Sequence, residues 1–284
     1  MTSSVMKGEQ VGLRTCHCGE PMSDRRVAIV TGAGTGLGRA TARVLLESGI
    51  DCVLTGRRSE PLDEAVSAPD LVGEALLVPS DVSSADDRER IVRSVLERFG
   101  RIDILVNNAG VSGQAPLLEY SVEDWRRVMA TNVEACFFLA QLVLPAMRER
   151  RYGRIVNIGS VYGSLGLNAG LYAGLFPPDE GRGPARQPAY HTSKGALLNM
   201  TRDLAVAVAP WGITVNTLSP GMFLTEQAKG IVNDEVIASL SAMTPVGRFG
   251  EPREIGYAVR FLASEEAAFI TGAELRVDGG WSIW

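Results

Sequence analysis

A short apolar run, Val27–Thr31, leads directly into Gly32-Ala33-Gly34-Thr35-Gly36-Leu37-Gly38 and then into a helix-patterned stretch, Gly38–Ser48. Few folds place a glycine cluster between a strand and a helix. Glycine lets the backbone turn sharply there and approach another group closely. The free N–H groups at the start of the following helix then face an anion, whose charge the helix dipole favours. Glycines could also serve a tight turn with no ligand. The strand before them and the helix after them select the pyrophosphate of a dinucleotide instead. Gly32, Gly34, Thr35, Gly36, Leu37 and Gly38 are the first cofactor-binding candidates.

The rest of the chain repeats the alternation. Strand-like runs are Val27–Thr31, Cys52–Thr55, Ala75–Pro79, Ile104–Asn107, Ile155–Ile158, Thr214–Leu218 and Glu274–Val277. Helix-patterned stretches, among them Asp86–Phe99, Val122–Arg148 and Tyr190–Ala209, fall between them. Continuously apolar strands separated by helices are buried on both faces of a parallel sheet. Such connections are right-handed crossovers, so the expected fold is α/β: a single Rossmann-type doubly wound parallel β-sheet with helices on both faces. No repeat or composition break interrupts 25–284, which reads as a single catalytic domain, whereas 1–24 is polar, aperiodic and reads as a flexible N-terminal extension.

Composition narrows the function classes. A net charge of -5 argues against a nucleic-acid surface. There is no run of 18 or more apolar residues and no apolar stretch in the first 24, which argues against a membrane span and a secretory signal and leaves a cytoplasmic location as the expectation. Cys52 and Cys136 sit in apolar runs and read as small buried residues. Cys16-His17-Cys18 lacks a second ligand pair at zinc-type spacing, so no metal site is expected.

From the glycine loop onward the chain resembles the short-chain dehydrogenase/reductase family. The loop reads Thr31-Gly32-x-x-x-Gly36-x-Gly38, and the other motifs follow in order: Asp81-Val82 after the third strand, Asn107-Asn108-Ala109-Gly110 at the end of the fourth, Thr131-Asn132-Val133 in the next long helix, Ile158-Gly159-Ser160 at the end of the fifth strand, Tyr190-His191-Thr192-Ser193-Lys194 opening a helix, and Pro220-Gly221 ending the sixth strand. The resemblance covers nearly all of 25–284. It implies that Asp81, Val82, Asn108, Ala109, Gly110, Pro220, Gly221 and Phe223, together with the glycine loop, Tyr190 and Lys194, bind a nicotinamide dinucleotide. Within the family, Thr244–Gly250 and Val277–Gly280 are similar to the 3-oxoacyl-carrier-protein reductase and gluconate 5-dehydrogenase-like branch.

Chemistry supports the same catalytic set. Oxidising a secondary alcohol, or reducing a ketone, couples hydride transfer to movement of one proton. A free tyrosine, with a pKa near 10, is a poor base at neutral pH, and a neighbouring ammonium would lower it. Tyr190 and Lys194 stand four apart, on one helix face. Ser160 supplies a neutral donor for the substrate oxygen, and Asn132 resembles the family residue that anchors a water between Lys194 and solvent. Tyr-x-x-x-Lys alone is also an ordinary exposed helix pair; Ser160 and Asn132 decide for catalysis. Tyr162 and Tyr172 have no lysine four residues on. His17 and His191 are poorly placed for a hydrolase. A non-catalytic dinucleotide sensor or scaffold would be expected to lose the tetrad, and a methyltransferase predicts no such helix after Ser160.

The second strand ends in Gly56-Arg57-Arg58 with no acid to bind a ribose diol. Arg57 offers a bidentate donor to a 2′-phosphate. This favours NADP(H), while Thr35, where NADP users of the family often carry a basic residue, leaves NAD(H) open. The expected partner is a small carbonyl or alcohol. The apolar helices Val122–Arg148 and Tyr190–Ala209 suggest a homo-oligomer, a dimer or, by the resemblance, a tetramer. A substrate loop is expected near 220–252, with a short apolar helix at Ala238–Met243. Ser160 and Tyr190 stand farther apart than is usual in the family. The excess, an insertion near 165–187 rich in Gly and Pro and bearing Asp179, Glu180, Arg182 and Arg186, reads as an irregular loop forming a wall or lid of the pocket.

Overall fold

The structure, a computed structural model, describes residues 24–172, 181–226 and 232–283. The expected alternation is present: β1 Val27–Thr31, α1 Gly36–Glu47, β2 Asp51–Gly56, α2 Ser59–Val66, β3 Ala75–Pro79, α3 Ala85–Phe99 and β4 Ile104–Asn107. Then come the two-residue β5 Ala115–Pro116, α4 Val122–Met129, α5 Ala135–Arg150, β6 Gly153–Ile158, the two-residue β7 Ala185–Arg186, α6 Pro188–Val208 and β8 Ile213–Pro220. The described chain closes with α7 Asp234–Met243, α8 Pro252–Leu262 and β9 Glu274–Val277.

Seven of the strands form one parallel sheet in the order β3-β2-β1-β4-β6-β8-β9. The order reverses between β1 and β4, which pair at Val30↔Val106. Chains leaving the carboxyl ends of these two strands diverge and open a crevice, where ligands of such sheets bind.

Alternation along each strand divides the core in two. Val27, Ile29, Val53, Leu105 and Ile155 face α3 and α5, packing on Ile91, Val95, Leu139, Val143 and Met147. Ala28, Val30, Leu54, Ile104 and Val106 point the other way, onto Leu45 and Leu46 of α1, Leu62 of α2 and Ile255 and Val259 of α8. Each fully buried Leu or Ile contributes roughly 1.5–3 kcal/mol, so both faces hold the sheet rigid beneath the crevice. A third, smaller cluster joins Val161 and Tyr172 to Val236 and Leu240 of α7 and to Trp281.

α4 and α5 are joined by a π-helical turn, Ala130–Glu134, into one rod, Val122–Arg150, that is long and apolar enough to cross a membrane by length and composition. In this fold it is a core helix, with Leu139, Ala140, Val143 and Met147 buried against the sheet. The sequence reading of 165–187 as an irregular loop needs correction. Ala185–Arg186 pairs antiparallel with Ala115–Pro116, and Ala169–Leu171 forms a 3-10 turn capped by Asn168. The ribbon ties the end of the insertion to the loop after β4, and Arg182 binds the Glu119 carboxylate through both nitrogens.

Candidate functional site

The glycine loop is held from below. Thr31 Oγ1 at the end of β1 accepts the N–H groups of Asn108 and Ala109, each at 2.9 Å, and Asn108 Nδ2 donates to the Thr31 carbonyl at 2.8 Å. These bonds lock the loop to the end of β4. Gly32 and Gly36 adopt positive φ, 63° and 54°. A Cβ at Gly38 would lie 2.2 Å from the Gly32 carbonyl oxygen, so the first turn of α1 packs directly onto the loop. Arg39 donates to the Gly34 carbonyl at 2.7 Å and pairs with Glu64, buttressing the outer side. Thr35, the N-cap of α1, makes no side-chain capping bond, so the leading N–H groups of the helix remain available to an anion. Thr225, on the chain following β8, reaches within 3.5 Å of the position a Cβ would take at Gly36.

Arg57 and Arg58 follow β2, are exposed, and have no hydrogen-bond or ion-pair partner among the described residues. Asp51 opens the same strand at its far end, where its carboxylate accepts the Glu74 N–H at 2.8 Å. It cannot reach the end where Arg57 stands. Past β3, Val82 is buried and Asp81 accepts the Ser83 hydroxyl at 2.7 Å. Pro220 closes β8; a Cβ at the next residue, Gly221, would lie 2.6 Å from that of Asp278. Phe223 bridges to Gly250. The dinucleotide candidates thus ring the carboxyl edge of the sheet.

At the same edge stand Ser160, just beyond β6, and Tyr190 and Lys194 on the first turns of α6. The Ser160 hydroxyl, whose Oγ accepts the Tyr162 N–H at 3.2 Å, lies near enough to the Tyr190 phenol to lower its pKa. The Lys194 ammonium is buried, donates to the Ile158 carbonyl at 2.7 Å and lies 5.7 Å from the centroid of the Tyr190 ring. A Cβ at Gly110 would come within 3.6 Å of Lys194 Nζ and 3.5 Å of Asn132 Oδ1, so these elements converge. Asn132 lies in the π turn, fully buried. Its Oδ1 accepts the Val111 N–H at 2.8 Å, and its Nδ2 donates to the Val111 carbonyl and to Ser193 Oγ, both at 2.9 Å.

Electrostatics differ from the sequence expectation in one respect. Burial pushes the Tyr190 phenol above its ordinary value, while the Ser160 hydrogen bond pulls it down. The same burial brings Lys194 down to about 8. Desolvation dominates both groups, and the ammonium gives its hydrogen bond to Ile158. At neutral pH the phenol keeps its proton.

Sequence reasoning missed several supporting residues. Ser193 bridges Asn132 to the Tyr190 carbonyl, to which it donates at 2.7 Å; its place three residues after Tyr190, on the same helix, was the available signal. His191, set aside as a catalytic group, stacks on Tyr162 with ring centroids 4.9 Å apart. Burial and the nearby Arg186 hold its imidazole below its usual value. Tyr172 was passed over for want of a nearby lysine, yet it lies close enough to Tyr190 that burial and that neighbour raise its phenol. The Cys52 and Cys136 thiols are buried, as read. Cys16, His17 and Cys18, and Asp179 and Glu180 of the insertion, lie outside the described residues. Among the described residues no three His, Cys, Asp or Glu side chains gather as a metal site.

Known proteins resemble this chain in sequence and in fold. Residues 26–173 match the family model described as short chain dehydrogenase, and 179–282 the one described as enoyl-(acyl carrier protein) reductase. The 3-oxoacyl-(acyl-carrier-protein) reductase of Vibrio cholerae is 39% identical over 255 residues, covering 90% of this chain and 96% of that protein. The gluconate 5-dehydrogenase of Gluconobacter oxydans is 38% identical over 260 residues, covering 90% and 94%. Among solved structures, an actinorhodin polyketide ketoreductase variant with NADPH has a TM-score of 0.80 at 32% identity, covering 92% of this chain and 98% of that one.

Proposed function

The chain belongs to the short-chain dehydrogenase/reductase family and is an oxidoreductase; from that premise we propose that it is an NADP(H)-dependent ketoreductase with Tyr190 as its proton donor. The observation that carries this reading is the junction of Ser160, Tyr190 and Lys194 at the edge of the sheet that also bears the glycine loop.

The residues fit a nicotinamide dinucleotide. Only a glycine at Gly38 permits the close packing that shapes the phosphate cradle, and the uncapped start of α1 faces it. Bound there, the dinucleotide supplies or accepts the hydride. Arg57 takes the 2′-phosphate of NADP(H), as its exposed position after β2, without a partner among the described residues, allows; the resemblance to a ketoreductase solved with NADPH supports the same choice. Asp81 and Val82 hold the adenine side, while Asn108, Ala109, Gly110, Pro220, Gly221 and Phe223 line the nicotinamide side.

In the reductive direction Ser160 donates to the ketone oxygen, stabilising the charge that develops on it. Tyr190, held protonated by burial, then gives its proton to that oxygen. Lys194 steadies the phenolate left behind, and Asn132 places Ser193 and Val111 around the start of α6 and anchors the water that returns a proton. Residues 25–284 act as one catalytic domain. The insertion walls the pocket, and Phe138 and Val206, which are 41% and 80% exposed on α5 and α6, lie on the face through which copies associate. A panel of carbonyl compounds offered with NADPH and NADH, followed by loss of the reduced-nicotinamide absorbance, tests the reading. Oxidation of NADPH in preference to NADH by at least one ketone is expected; no turnover with either cofactor across the panel would overturn it.

A further inference from the structure

Ser160 belongs to a turn that lies against α6. Its Oγ accepts the Tyr162 N–H at 3.2 Å and its carbonyl accepts the Gly163 N–H at 2.8 Å, so the serine and the 3-10 turn Val161–Gly163 form one piece. This turn rests directly on the helix that carries Tyr190 and Lys194: a Cβ at Gly163 would stand 2.8 Å from the Lys194 carbonyl oxygen. Backbone contact alone would let the turn slide along α6. A side-chain contact across the same junction opposes that. The Tyr162 ring stacks on the His191 ring, with centroids 4.9 Å and planes 13° apart.

His191 follows Tyr190 in the chain and meets its ring edge-on at 6.0 Å. A continuous series therefore runs from one hydroxyl of the site to the other: Ser160 Oγ, the Tyr162 backbone and ring, the His191 ring, and the first turn of α6 beneath Tyr190. The Tyr162 hydroxyl is also bonded to that of Tyr172. Tyr172 packs with Val161, Val236, Leu240 and Trp281, none of which is on α6, so that bond fixes the tip of the ring without setting its distance from Tyr190. In His191 the face of the ring is what the fold uses. Its Nε2 is buried and meets no hydrogen-bond partner among the described residues, an arrangement that costs free energy and is offset here by packing.

We propose that His191 is a positioning residue for the reaction: stacked on Tyr162, it sets where the Ser160 hydroxyl stands relative to the Tyr190 phenol. This inference rests on the ketoreductase reading above and adds to it a residue that acts through Ser160. A misplacement of about 1 Å can cost on the order of a hundredfold in rate. The clamp therefore acts on turnover and not on the dinucleotide, whose glycine loop stands on Thr31 and Asn108.

The test measures kcat and the KM for NADPH on a ketone that the wild type reduces. His191→Leu, which removes the stack, should lower kcat about tenfold with the KM for NADPH within about twofold. His191→Phe restores a planar ring and should recover kcat to within about threefold of wild type. Tyr162→Leu breaks the same stack from the other side, and its loss should match that of His191→Leu if the latter does not fold. In a Ser160→Ala background, read at high enzyme concentration, His191→Leu should cost less than about twofold more, because its effect passes through the missing hydroxyl. Normal turnover in His191→Leu, no recovery in His191→Phe, or an equal loss with and without Ser160 would overturn the proposal. Ser160→Ala and Tyr190→Phe keep the two readings apart. If both lose turnover while the His191 variants behave in one of those three ways, only the clamp falls; if both turn over normally, the ketoreductase reading falls with it.

Discussion

The Lys194 ammonium lies 5.7 Å from the centroid of the Tyr190 ring and is buried there, held by the carbonyl of Ile158. Its pKa, lowered to about 8 from an ordinary 10.5, makes a prediction about stability. Between these values the unfolded chain binds a proton that the folded chain does not, so this group makes stability rise with pH across that window. Below about 8 its penalty is fully present. Lys194→Met should lack the rise. The difference in unfolding free energy between wild type and variant should change by roughly 3 kcal/mol between pH 8 and 10.5. Urea denaturation at several pH values measures it, and parallel pH profiles would contradict a strongly depressed lysine.

In the proposed reading Arg57 sets the preference for NADP(H). Arg57→Ala should raise KM for NADPH about ten- to a hundredfold, the worth of a charged hydrogen bond, and leave KM for NADH nearly unchanged. Steady-state kinetics with both cofactors decides the matter, and equal changes would return Arg57 to an ordinary solvated loop.

Gly38 is required by packing. In Gly38→Ala the new methyl would meet the Gly32 carbonyl oxygen at 2.2 Å and Asn108 Nδ2 at 2.4 Å, backbone and locked side chain that cannot both yield. Dinucleotide affinity should fall at least about tenfold. Gly166→Ala, where nothing lies within 4 Å, is the control and should bind normally. Titration of NADPH fluorescence reads both variants; unaltered binding by Gly38→Ala would show that the loop is not the phosphate cradle.

Much of this was legible in the sequence because the sheet is buried on both faces. β1, β3, β4 and β9 coincide with their apolar runs. In β2 and β6 the strand outgrew its run where a polar residue had found a distant partner. Asp51 joins β2 by capping Glu74, and Arg154 joins β6 with its guanidinium bound to the Ser264 carbonyl and laid 4.3 Å from the centroid of the Tyr152 ring. Such partnerships leave no local periodicity. The β5–β7 ribbon was hidden for the same reason: it pairs Pro116 with Ala185, with Asn132 and Ser160 lying between them in the chain. Ser160, Tyr190, Lys194 and Asn132, proposed from spacing and chemistry, come together at one end of the sheet. The burial of Tyr172 was not legible, since it comes from how the insertion packs on α7 and Trp281.

The insertion should control selectivity more than cofactor binding. Replacing Leu167–Arg186 by a tight turn removes Leu171 and Tyr172 from the third cluster and breaks the β5–β7 ribbon, while the glycine loop stands on other elements. The rank order of kcat/KM across a carbonyl panel should change, with KM for NADPH preserved. An unchanged order would make the segment a surface loop.

Tyr190 is the centre of the account. The Tyr190→Phe protein keeps the ring and its packing and loses only the hydroxyl, which stands near that of Ser160. Measured on a ketone that the wild type reduces, with NADPH binding followed in parallel by fluorescence, kcat should fall by about a thousandfold or more while the dissociation constant for NADPH stays within about twofold. Turnover near the wild-type rate, with the cofactor bound equally well, would contradict Tyr190 as the proton donor.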